Sequence, residues 1–283
     1  MDVEVKSLRT HVLSTPSWTA MTLLASLTLL SPVGHARPQD AGLAHVLEAS
    51  GITSQVLGID GQIQQQLATN RELAKLPKAD ADRVRGAVAG ALKGQKILEV
   101  VRSELSKGLS TSDLATLKQF YDDAFIKRVT DLERAMDRPD AMAQVEQYAR
   151  GLQSSPPPAS RVALIQRLDQ KVGASEFALA FAGASIKGMA DAINRTFDKQ
   201  HQATQATLDR RVESELDQLR QPMANVMMVS LLFTYRSLTD KELERYVAAY
   251  DSPPLSKLML GYKAGVMRGL SQASQSGGKA AGR

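Results

Sequence analysis

No cysteine occurs anywhere in the 283 residues of the chain. That absence excludes disulfides, thiolate metal sites, cysteine nucleophiles and a lipid-bearing cysteine anchor. Histidine is nearly as scarce. Beyond residue 36 only His45 and His201 remain, with no ligand-like neighbours at metal spacing, so core or solvated roles are expected of them. Aromatic residues make up 5% of the chain, and the net charge of +5 is dispersed. Nucleic-acid binding needs stacking rings along a basic stripe, and neither is present. Long apolar runs are missing too, since the one at Ala20–Leu30 falls short of the ~20 residues a spanning helix needs.

Catalytic phrases are equally absent. There is no Gly-x-Ser-x-Gly, no phosphate-cradling loop and no His-Glu-x-x-His. Ser276 and Lys279 have the Ser-x-x-Lys spacing, but they stand in a glycine-rich end that cannot preorganise a nucleophile. Glu213, Glu215 and Asp217 diverge around a helix when spaced by two, as a solvated acidic segment does. No catalytic, cofactor or metal residue is nominated, and a non-catalytic protein is expected. A helical small-ligand or lipid carrier, or a hydrolase with a carboxylate site between the two halves of the chain, is the alternative.

What is present begins with a leader. Residues 1–36 combine Lys6 and Arg9, the apolar run, and small residues at Gly34 and Ala36, the pattern of a signal peptide cut between Ala36 and Arg37. Export to the periplasm or medium follows, with no stable membrane span after removal of the signal; Asp2, Glu4 and the length of the leader leave a retained signal anchor as the alternative. An exported chain without disulfides is held by its core, and the about 247 residues that remain suffice for one or two.

The most explicit stretch is Leu238–Tyr262. Thr239 and Glu242 are spaced as a capping box, and Leu238 and Leu243 as the staple that fixes the entry angle. Leu243, Tyr246, Val247 and Tyr250 then recur on one helical face. Asp251-Ser252-Pro253-Pro254 ends that helix; Ser252 is placed to cap the next, with Pro253 in its first turn. The next helix carries Leu255, Leu258, Met259, Tyr262 and Val266 on one face.

About 129 residues upstream the same arrangement recurs: Leu109 as staple, Ser110 as cap, Asp113 at the box position, then Leu114, Leu117 and Tyr121. Cap, staple, stripe and a Tyr-Asp ending together point to an internal duplication. In this copy Asp123-Ala124-Phe125 replaces the proline corner, so the helix is expected to run straight on.

On these residues the chain resembles the bacterial domain of unknown function family 2059, whose recurring phrase is a capped helix ending in an aromatic-Tyr-x-Ser-Pro corner. The phrase here is Thr239-Asp240-Lys241-Glu242-Leu243, then Ala249-Tyr250-Asp251-Ser252-Pro253, with Lys257 surviving from the Gly-Gln-Lys that usually follows. Residues 109–121 form a degenerate copy. The resemblance implies a helical, exported bacterial protein and brings no activity with it.

The rest of the chain is also helical in pattern, giving an all-α bundle of two diverged, repeat-related halves over residues 37–153 and 159–270. Between them, Ser154-Ser155-Pro156-Pro157-Pro158 reads as a linker. Residues 79–107 trace one long helix with Gly86, Gly90 and Gly94 on a ridge suited to close packing. Pro222 is placed to open a helix, and residues 271–283, lacking apolar residues other than alanine, are expected to be disordered. Met223, Met227, Met228, Met259 and Met267 are candidates for an adaptable apolar groove binding another envelope protein or polypeptide.

Overall fold

A computed structural model describes residues 38–280, apart from residues 139, 196 and 198. The proposed signal and its Ala36/Arg37 cut lie outside the described residues, as do residues 281–283. The fold is all-α, with no strand among the described residues.

The first part of the chain holds α1 (Pro38–Ala49), α2 (Ile52–Leu57), α3 (Ile59–Thr69), α4 (Arg71–Lys75), α5 (Lys78–Ala91) and α6 (Gly94–Gly108). Helices α7 (Thr111–Asp122), α8 (Ala124–Arg134), a 3-10 turn (Ala135–Asp137) and α9 (Ala141–Leu152) follow. After the 154–158 corner come α10 (Ala159–Val172), α11 (Ala174–Asn194), α12 (Gln205–Thr234), α13 (Asp240–Ala249) and α14 (Pro253–Ala280).

Helix α14 is the hub, packing most extensively on α6 and also on α11, α5 and α7. Its apolar stripe continues at helical spacing through Leu255, Leu258, Tyr262, Val266, Leu270 and Ala273, all buried. One hydrophobic cluster joins residues from before and after the 154–158 corner, including Leu47, Leu105 and Leu117 with Leu168, Leu243 and Leu258.

Four expectations about helix limits are corrected. The 79–107 stretch is two helices, because the chain turns at Leu92 and Lys93 to bring Gly94 against α2. A Cβ on Gly94 would stand 2.4 Å from the Val56 carbonyl oxygen, and the Gly94 N–H donates to Asp60 Oδ1 at 2.6 Å. Asp123 interrupts the helix that begins at Thr111, because its carboxylate accepts the N–H groups of Phe125 and Ile126 and so starts α8. Pro222 lies inside α12 rather than at a start, on an exposed position of the helix. Over residues 271–280 the chain is helix, not the disorder expected of that tail, because α14 extends beyond Leu270 with Ala273 docked in the core.

Of the three glycines expected to line a packing ridge, Gly94 makes the close approach just described and the other two do not. Gly86 and Gly90 have nothing within 4 Å of an added Cβ. Gly261, Gly265 and Gly269 of α14 instead let α6 approach, an added Cβ falling 2.7 Å from Leu105, 2.6 Å from the Val101 Cα and 3.0 Å from Ile97.

Candidate functional site

Both capping boxes form. Ser110 Oγ accepts the Asp113 N–H at 3.1 Å while Asp113 Oδ2 accepts the Ser110 N–H at 2.9 Å. Thr239 Oγ1 accepts the Glu242 N–H at 3.2 Å, and Glu242 Oε2 accepts from Thr239 at 2.8 Å. Leu238 and Leu243 are both buried. The Ser252 hydroxyl works backward, donating to the Ala249 carbonyl at 2.8 Å, and does not cap α14, which starts at Pro253.

The two boxes are joined crosswise. Lys257 of α14 reaches Asp113 at 2.9 Å, and Arg128 of α8 pairs with Glu242. Ser110, then Lys257, hold the Asp113 carboxyl down to about 2; the Thr239 N–H, then Arg128, do the same for Glu242, also to about 2.

Between α7, α8 and α13 lies a cluster of buried tyrosines around half-buried Glu133, which the sequence pattern did not single out. Glu133 Oε1 accepts from the Tyr235 hydroxyl at 2.7 Å and from the Tyr246 hydroxyl at 2.8 Å. The Tyr246 and Tyr250 hydroxyls are 2.8 Å apart, and buried Tyr121 from α7 lies in the same field. Two tyrosines thus donate to one carboxyl, and Tyr250 is joined to it through Tyr246. Burial raises the Glu133 pKa against the lowering effect of the two tyrosine bonds. It also pushes Tyr235 and Tyr246 well above the ordinary phenol range, with the Glu133 charge adding to the effect. The available clue was spacing: Ile126, Val129 and Thr130 are buried, and Glu133 falls at i+7 on that face of α8.

Arg161, buried among the apolar residues of α10, is similarly committed. It donates to Asp240 at 2.8 Å and to the Tyr235 carbonyl, tying α10 to the start of α13. His45 Nε2 lies 3.7 Å from Asp122, and among the described residues no three acidic or histidine side chains are grouped to hold a metal ion.

The five methionines occupy two helices. Met223, Met227 and Met228 lie half-buried on α12, Met259 half-buried on α14, and Met267 on the exposed side of α14 with Leu260. Helix α12 packs on α11, α10 and α9, whereas α14 packs chiefly on α6, α11 and α5. The α12 group belongs to a broader surface. Residues 221–235 carry no charged side chain, and Val226 among them is 53% exposed. Among the described residues no helix is long and apolar enough to cross a membrane.

No family model matches the chain, nor does any curated protein or solved structure.

Proposed function

We propose that the chain is an exported, non-catalytic helical module that binds another envelope protein or polypeptide through the uncharged face of α12. The observation that carries this reading is the face itself: Met223, Val226, Met227 and Ser230 lie half-buried or exposed on a stretch without a single charge. Such a surface costs solubility unless something covers it, and thioethers adapt to a partner's shape. The leader pattern of residues 1–36 supports export, and the phrase from Thr239 to Lys257 supports kinship with the family it resembles.

The test is affinity capture from a periplasmic extract with the wild-type chain and with Met227→Asp. Met227 is half-buried, so a charge there leaves a helical protein and abolishes retention of the partner. A Met227→Asp chain that folds and retains the same partner sinks the proposal.

A second reading has one observation behind it: Glu133 is a carboxyl with a raised pKa where the two stretches of chain meet, as a ligand carrier or hydrolase needs. Its Oε1 already accepts two tyrosine hydroxyls of the protein, which favours a fixed structural role.

A further inference from the structure

The α12 face has an internal counterpart whose cover is visible. Around the two capped helices, equivalent positions make equivalent contacts at an offset of about 129 residues. Asp113 and Glu242 are the box acids, and Lys257 and Arg128, themselves at that offset, bind them crosswise. The carbonyls of Ser106 and Tyr235, again at that offset, receive Gln39 of α1 and Arg161 of α10. Helix α1 packs on α7 as α10 packs on α13, and Asp122 and Asp251 are met by His45 and Lys171 from those two helices.

Carried back along the preceding helices, this correspondence sets Ile97, Val101 and Leu105 of α6 against Val226, Ser230 and Thr234 of α12. The α6 residues are 0–1% exposed, because the glycine ridge of α14 lies on them. Their α12 counterparts emerge progressively: Thr234 is buried, Ser230 half-buried and Val226 exposed. The reason is length. Helix α14 runs to Ala280, whereas its counterpart α8 stops at Arg134 and the chain turns away through the 3-10 segment. Helix α9, which follows that turn, meets α12 near its end, where Tyr148 lies 5.6 Å from Phe233, and Val226 toward the other end stays 53% exposed.

We propose that the exposed α12 face receives an α-helix of a partner protein that carries glycine, alanine or serine at every fourth position, seated as α14 is seated on α6. Small residues at that spacing let helix axes approach closely enough for Val226 and Met227 to enter the grooves beside the ridge. This inference rests on the reading of the chain as a binding module and names the chemistry of the partner.

The experiment uses Val226→Cys in the full chain, which has no other cysteine to react, labelled with an environment-sensitive fluorophore. The probe is a synthetic helix of residues 257–273, stapled through the solvent-facing positions Leu260 and Ala264 so that it is helical before binding. Its control replaces Gly261, Gly265 and Gly269 by leucine. The expected result is a saturable shift of the label with the glycine helix and affinity weaker by about tenfold or more with the leucine helix. Equal or tighter binding of the leucine helix overturns the ridge while leaving the binding module in place. No response to either helix overturns this inference, and the Met227→Asp capture then decides the broader reading separately. A dimer in sedimentation that Val226→Arg dissociates overturns it as well, because a second copy then occupies the face.

Discussion

Lys257 Nζ lies 2.9 Å from Asp113 Oδ2 across 144 residues of sequence, so the lysine of the second helical corner closes the capping box of the first. Arg128 does the same for Glu242 in the opposite direction. Each box acid therefore serves its own helix start and the other corner's cation at once, locking α7–α8 to α13–α14.

Acid should undo this lock. Asp113 and Glu242 are held down to about 2, below the ordinary value of about 4. Their contribution to stability is complete above that ordinary value and is lost as pH falls through it toward 2. Thermal melts from pH 6 to pH 2 should show a smaller acid-induced drop in Tm for Asp113→Asn than for the wild type. Lys257→Met should flatten the drop less, since Ser110 is the larger cause.

Glu133 should act in the opposite sense. Its folded pKa is raised by burial, so ionisation disfavours the folded state and stability falls as pH rises from the unfolded value of about 4 through the folded one. Glu133→Gln keeps the shape and an acceptor without the charge. Its Tm relative to wild type should rise between pH 4 and pH 7; a difference that is flat with pH would mean that the carboxyl is not desolvated.

Glycines spaced by four should separate into two kinds. Gly86→Ala and Gly90→Ala, in open space on α5, should stabilise by about 0.5–1 kcal/mol through helix propensity. Gly265→Ala should destabilise by about 1–3 kcal/mol, because the added Cβ meets the Val101 backbone at 2.6 Å, which cannot rotate aside. Gly261→Ala should cost less, as its nearest contact is the end of the Leu105 side chain. Urea melts of the four variants decide it.

Pro222 is exposed within a 30-residue helix, and its missing N–H leaves one turn of α12 unbonded. Pro222→Ala should raise stability by about 1 kcal/mol or more and slow amide exchange in the turn around it. Unchanged exchange there would mean that the turn is already closed by other means.

The sequence by itself determined what neighbours along the chain can decide. A threonine three residues before a glutamate, apolar residues at i, i+3 and i+4, and prolines after a polar pair act over one or two turns. The boxes at Ser110 and Thr239, the buried stripes and the all-α class were therefore legible from those residues alone. The tertiary structure decided which stripe met which. Nothing local tells the idle glycines of α5 from the ridge of α14, because the difference lies in what stands opposite. The helix end at Leu92 likewise shows its use only in the assembled chain, where Gly94 comes against the Val56 carbonyl. Glu133 carries a clue only in its place on an apolar face, since its partners Tyr235 and Tyr246 stand 102 and 113 residues away. Burial of a charge is a property of the assembled helices, and so is the exposure of Val226: both depend on where α8 ends and on where α9 then meets α12.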